Sequence, residues 1–171
     1  MLGSLKLYKS PLEFIELAQK LPQFTFELVV NDTQENINGF MKEHKINICK
    51  NLTIYPRQND VVPFYNQASL VLNLSDKKQV VETFGLTALE AMSAGLPVIV
   101  PTEGGIAEMV VDGENGYKID VQNLNQIAEC IKTILSDETL YMELAQNALA
   151  YSKRFSEAKM VNSIEMILNR K

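Results

Sequence analysis

Short apolar runs rich in β-branched residues alternate along this chain with amphipathic stretches, and no other feature narrows the fold as much. Leu2–Leu7, Phe24–Val30, Leu52–Tyr55, Leu70–Leu74 (apolar apart from Asn73), Pro97–Val100 and Gly116–Ile119 read as strands. Between them, Pro11–Leu21 carries Leu12, Ile15, Ala18 and Leu21 at helical spacing, and Pro22 closes it. Asn31-Asp32-Thr33 offers caps to a polar helix reaching about His44, Asp60–Ala68 is a short helix, and Leu86–Ala94 is a helix stopped by Gly95. Beyond Asp120 three helical stripes follow: Leu124, Ile127, Ala128, Ile131, Ile134 and Leu135; then Leu140, Leu144, Ala145, Ala148 and Leu149; then Met160, Ile164 and Ile167. All three are expected to be core. The pattern predicts a Rossmann-like, doubly wound α/β domain with a helical C-terminal extension, one domain over residues 1–171. Ligands of such sheets bind at the carboxyl ends of the strands, here the loops after Leu7, Val30, Tyr55, Leu74 and Val100.

Composition removes several functions. Hydrophobic residues at 46% and charged residues at 22% are those of an ordinary folded domain. A net charge of −5 argues against nucleic-acid binding, which rewards clustered Lys and Arg, and against strong attachment to an anionic membrane surface. No run of eighteen apolar residues exists to span a membrane, and no basic stretch followed by an apolar core marks a signal peptide, so the expected compartment is the cytoplasm. Cys49 and Cys130 stand in unrelated segments and read as reduced thiols. His44, the one histidine, has no second ligand at a useful spacing, so no metal site is expected.

The loop after Leu74 holds the strongest chemical signal. In Glu82-Thr83-Phe84-Gly85-Leu86-Thr87-Ala88-Leu89-Glu90, Gly85 opens a helix whose first N–H groups point outward, a ready-made phosphate site. The Thr87 hydroxyl adds a donor. Glu90, about one turn in, can accept hydrogen bonds from two vicinal hydroxyls such as those of a ribose. Glu82 precedes the helix and can enter the cleft from the other side. Two carboxylates flanking a phosphate-binding helix start describe a nucleotide-sugar site. The plainer alternatives stay open: Glu82 and Glu90 as surface residues, Gly85 as a simple helix start, and Gly104-Gly105 as a tight turn that allows close backbone approach rather than a cleft wall. Asp112-Gly113 and Asn115-Gly116 read as turn chemistry.

These residues carry a resemblance. Glu82–Met92 resembles the E-x7-E motif of retaining GT-B glycosyltransferases of family four, the glycosyl transferases group 1. Ser93-Ala94-Gly95-Leu96-Pro97-Val98-Ile99-Val100, then Gly104-Gly105-Ile106-Ala107-Glu108-Met109-Val110, then Asp112-Gly113-Glu114-Asn115-Gly116-Tyr117 follow in the family's order and spacing. Gly3-Ser4-Leu5-Lys6-Leu7-Tyr8-Lys9-Ser10 is similar to the family's G-R-L-x-x-x-K-G loop. The resemblance implies that Glu82 contacts donor-sugar hydroxyls and that the amides of Phe84, Gly85 and Leu86 contact sugar and diphosphate. It implies that Thr87 meets a phosphate oxygen, Glu90 the ribose, and Lys9 the leaving diphosphate, with Gly104 and Gly105 lining the donor site. It implies no metal or other cofactor, so a protein cation stabilises the leaving charge. It also implies that a glycan or lipid-linked acceptor is held by an N-terminal domain outside these residues, and that peripheral membrane association belongs to the longer enzyme. Three departures stand out: Ser4 in place of an arginine, Ser10 in place of a glycine, and a long loop Asp76–Val81. Lys6, Lys77 and Lys78 are the candidates to replace the missing charge. Arg57 reads either as a solvated loop charge or as a contact near the base, and Tyr55 as a strand residue rather than a stacking platform.

Overall fold

A computed structural model describes residues 1–155 and 157–168. Six strands, β1 (Leu2–Gly3), β2 (Phe26–Val30), β3 (Leu52–Tyr55), β4 (Val71–Leu72), β5 (Val98–Val100) and β6 (Gly116–Lys118), alternate with helices α1 (Pro11–Lys20), α2 (Gln34–Glu43), α3 (Val62–Gln67), α4 (Leu86–Ser93) and α5 (Gly105–Glu108). Then come α6 (Leu124–Ser136), α7 (Glu138–Ser152) and α8 (Glu157–Leu168). All pairings are parallel, in two three-stranded sheets ordered β1-β2-β3 and β4-β5-β6. The doubly wound pattern is therefore present but divided between two sheets, each of which begins with a strand of two residues, β1 and β4.

The strand expected over Leu2–Leu7 ends at Gly3. Residues Leu7–Lys9 close a 3-10 turn, with Lys9 N–H donating to the Lys6 carbonyl and Ser10 N–H to that of Leu7, both at 2.8 Å. Lys6 and Leu7 are exposed, so nothing on this stretch drives it into a sheet. Ser10 follows in the left-handed region at φ 55°, a conformation that favours glycine, which accounts for glycine in the motif this loop resembles. The start of β2 moves from Phe24 to Phe26 because the Asn51 side-chain amide takes the carbonyls of Ala18, Leu21 and Phe24 at 2.9, 3.2 and 2.9 Å. One side chain thereby closes α1 and removes Phe24 from the ladder. Helix α5, which sequence reading treats as a turn, is four residues long, too short to show a period.

Successive residues of the central strand β5 face two different cores. Val98 and Val100 of β5 point to a cluster with Ala88, Ala91 and Met92 of α4, Ile106, Met109 and Ala148. Ile99, between them, points to the other, with Leu28 and Val30 of β2, Phe14 and Leu17 of α1, and Ile127, Ile131 and Ile134 of α6. The terminal stripes are only partly core. Leu144 and Ala148 are buried, but Leu149 is 40% and Ile167 68% exposed. Met160 and Ile164 lie in α8, and their side chains fall outside the described residues. Among the described residues no helix is long and apolar enough to cross a membrane.

Candidate functional site

At the carboxyl ends of β1, β2 and β4 a cleft of about 400 Å³ opens between the first βα loop and the start of α4. Gly3, Ser4, Lys9, Asn31, Asn73 and the segment Glu82–Thr87 line it. Helix α4 begins at Gly85, which sits at φ 77° and makes no side-chain cap. The Gly85 carbonyl accepts from Ala88 and Leu89, whereas among the described residues no group accepts from the N–H of Gly85, Leu86 or Thr87. Open amides at the positive end of a helix form an anion site. Gly85 is needed twice over, since a Cβ there would lie 2.5 Å from the Ile106 side chain.

Lys9 reaches the cleft because the 3-10 turn and the left-handed Ser10 aim it across at β4's loop. Its ammonium makes a salt bridge with the Glu82 carboxylate and donates to Ser75 Oγ at 3.2 Å. Ser75 Oγ in turn donates to Glu82 Oε2 at 3.3 Å. Ser75 is buried, and its N–H donates to the Asn73 side-chain oxygen at 3.1 Å. The Asn73 amide donates to Thr87 Oγ1 at 3.4 Å, so the Thr87 hydroxyl hydrogen is left for an acceptor in the cleft. One hydrogen-bonded chain therefore ties the cation, the carboxylate and the start of α4 together. Among the described residues lining the cleft Lys9 is the one lysine or arginine.

Glu90 lies one turn beyond the cleft wall and is exposed, with its Oε2 accepting from the Tyr65 hydroxyl at 2.7 Å. Burial, then the hydrogen bond to Glu90, hold the Tyr65 phenol far above its ordinary range, so it remains a donor at any working pH. Phe84 and Leu86 expose their side chains, 42% and 62%, and meet the cleft at the loop's edge.

Gly104 and Gly105 do not line the cleft in this structure; they back the loop that does. A Cβ on Gly104 would lie 2.2 Å from the Glu82 carbonyl oxygen and one on Gly105 1.8 Å from that of Thr83. The close-approach alternative is the one the geometry presents. Of the substitute cations, Lys77 is turned away. It bonds Thr102 and Glu103 at 2.7 Å and Asp120 at 2.9 Å. Burial raises the Asp120 carboxyl, but the Thr102 N–H and Lys77 outweigh it and leave that group below its ordinary range. Lys6 lies over the Tyr8 ring and Lys78 is exposed. Arg57 Nε donates to Asn31 Oδ1 at 2.6 Å and its N–H to the Asp32 carbonyl at 2.8 Å, fixing the β2 and β3 loops to one another beside the cleft. Tyr55 turns to Phe64 and Glu27. Burial pushes the free Cys130 thiol up to about 12, which removes it as a nucleophile at neutral pH. Among the described residues no group of three His, Cys, Asp or Glu could hold a metal.

Sequence reading passed over Ser75, Tyr65 and Asn31. Asn73 gave a signal, as the one polar residue in an apolar strand. Ser75 gave only its place one residue past that strand, and Tyr65 none.

Parallel sheets with the open helix start of α4 at their carboxyl ends are a Rossmann-like arrangement, and the solved structures that share it are GT-B glycosyltransferases. The solved structure of Anabaena HepE in complex with UDP and glucose superposes with a TM-score of 0.83 at 26% identity, covering 99% of this chain and 48% of that one. The C-terminal domain of a group 1 glycosyl transferase from Francisella tularensis superposes with a TM-score of 0.71 at 27% identity, over 90% of this chain and 82% of that one. Residues 1–151 match the family Glycosyl transferases group 1, and the chain belongs to it. It is 33% identical over 141 residues, 82% of its length, to N-acetyl-alpha-D-glucosaminyl L-malate synthase of Bacillus anthracis, and spans 36% of that protein.

Proposed function

We propose that this chain is the donor-binding domain of a retaining glycosyltransferase of family four that moves a hexose from a nucleoside diphosphate sugar, UDP-linked before GDP-linked, to a glycan or lipid-linked acceptor. The Lys9–Ser75–Glu82 triangle facing the open amides of α4 across one cleft carries the proposal. The diphosphate oxygens take the Gly85, Leu86 and Thr87 amides and the Thr87 hydroxyl. Lys9 meets the charge that grows on the leaving phosphate as the sugar's C1–O bond breaks. The acceptor hydroxyl bonds to C1 on the face the nucleotide leaves, and its proton passes to the phosphate oxygen that C1 releases. Glu82 orients the sugar by its hydroxyls, and Glu90 accepts from the ribose. Charge stabilisation comes from the protein rather than from a metal or other cofactor in this reading. The bound UDP of the Anabaena structure favours uracil as the base. The acceptor enters from the companion domain of a longer protein, where cell-envelope glycans and a cytoplasmic location fit the family's habit.

A second reading, a nucleotide-binding module without transfer activity, has its own support. Ser4 stands in the cleft wall where an arginine would add charge, and Lys9 is shared with Glu82. Calorimetric titration of the chain with UDP, GDP, ADP and TDP, beside Glu90→Gln, tests the donor site. One diphosphonucleotide should saturate, and the substitution should weaken it by ~1.5–3 kcal/mol, the worth of a charge-assisted hydrogen bond. No binding by any of the four to the folded chain would defeat both readings. Sugar transfer by the full-length enzyme separates one from the other.

A further inference from the structure

We infer that Tyr65 is a positioning residue that sets the Glu90 carboxylate for the donor's ribose before the donor arrives. This rests on the reading of Glu90 as the ribose partner. Tyr65 belongs to α3 and is 5% exposed, packed with Val71, Ala88 and Met92 in one of the two cores. Its hydroxyl leaves that core at one place, donating to Glu90 Oε2 at 2.7 Å with the Thr87 carbonyl at 3.4 Å. Both acceptors lie on α4, one turn apart, on the helix that also presents the open amides. Among the described residues Tyr65 is the one side chain bonded to the Glu90 carboxylate.

The physical argument has two parts. A glutamate on a helix surface samples many rotamers, and freezing one when the ligand binds costs conformational entropy. A hydroxyl anchored in a rigid core fixes the rotamer beforehand, and preorganisation of that kind is recovered as affinity. Occupying Oε2 also leaves Oε1 with its lone pairs for the vicinal hydroxyls of a ribose. A tie that served only to hold α3 on α4 would be indifferent to the ligand's ribose.

That difference supplies the test. Parent, Tyr65→Phe, Glu90→Ala and the double variant are titrated by calorimetry with UDP and with 2′,3′-dideoxy-UDP, and the thermal midpoint of each is recorded. Tyr65→Phe removes one oxygen and keeps the ring in the core. It should weaken UDP by about five- to tenfold, in the range of one hydrogen bond. It should leave the dideoxy nucleotide's affinity unchanged, and should cost nothing further in the Glu90→Ala chain. Unchanged UDP affinity in Tyr65→Phe, an equal loss for both nucleotides, additive losses in the double variant, or failure of Tyr65→Phe to fold would each overturn the positioning role. A parent that binds no nucleoside diphosphate overturns the donor-site reading instead, and this inference with it. A parent that binds UDP beside an unaffected Tyr65→Phe overturns the inference alone.

Discussion

Gly105→Ala should damage the donor site from behind while leaving the fold in place. The missing Cβ position lies 1.8 Å from the Thr83 carbonyl oxygen and 2.9 Å from its carbon, both backbone atoms. A carbon–oxygen contact relaxes at about 3.3 Å, so the loop must retreat by about 1.5 Å. Overpacking of this kind costs ~1–3 kcal/mol. At ~2–4 °C per kcal/mol for a domain of this size, the midpoint should fall by ~2–12 °C. The larger effect is functional. The displaced carbonyl sits between Glu82 and Phe84, so the Lys9–Glu82 pair and the α4 amides lose their mutual register. Losing the alignment of one or two charge-assisted hydrogen bonds costs ~1.5–3 kcal/mol of binding, about tenfold or more. UDP affinity by calorimetry should therefore fall by at least about tenfold in a chain that still melts cooperatively. Gly39→Ala is the control. It lies within α2, no atom stands within 4 Å of its Cβ position, and its φ is not in the left-handed region. It should stabilise by ~0.5–1 kcal/mol and leave UDP binding alone. A Gly105→Ala chain with the parent's midpoint and the parent's UDP affinity would refute the argument that this glycine fixes the loop.

Two further outcomes follow from the same geometry. Lys9→Met should weaken UDP by about 10- to 100-fold, the range of a charge-assisted hydrogen bond, and titrations at two ionic strengths should show a shallower salt dependence than the parent's. Asp120→Asn should destabilise the chain at pH 7, because a carboxyl held below its ordinary value of 3.8 contributes stability that is present above that pH and lost as pH falls through the lower folded-state value. The gap between parent and variant, read by urea unfolding, should close as the pH drops below about 3.8; a gap that persists unchanged in acid would show that Asp120 acts through something other than its charge.

The segment Glu82–Glu90 was legible because its chemistry is local. An open helix start, a hydroxyl within the first turn and a carboxylate a turn further on are all decided by spacing along one stretch of chain. Lys9 was legible only through resemblance to a known loop, since nothing in Leu5–Ser10 says where its ammonium ends. The substitution of Lys77 for the missing arginine charge failed for the same reason. Its partners, Glu103 and Asp120, are 26 and 43 residues away, and sequence spacing carries no information about them. Glycines 104 and 105 showed the need for a close approach but not its object, which is the carbonyl side of the very loop that forms the cleft.

By itself, the sequence determined the alternation of strands with the longer helices, the parallel α/β class and the helix that opens at Gly85. Each of those follows from side-chain periodicity and from backbone preferences within a few residues of one another. Only the tertiary structure decided that the six strands divide into two sheets, that Ser75 joins Lys9 to Glu82, and that a core tyrosine reaches Glu90. Those contacts join side chains 7 to 66 residues apart. They depend on where packed elements come to rest, a consequence of burying all the apolar surface at once rather than of any local pattern.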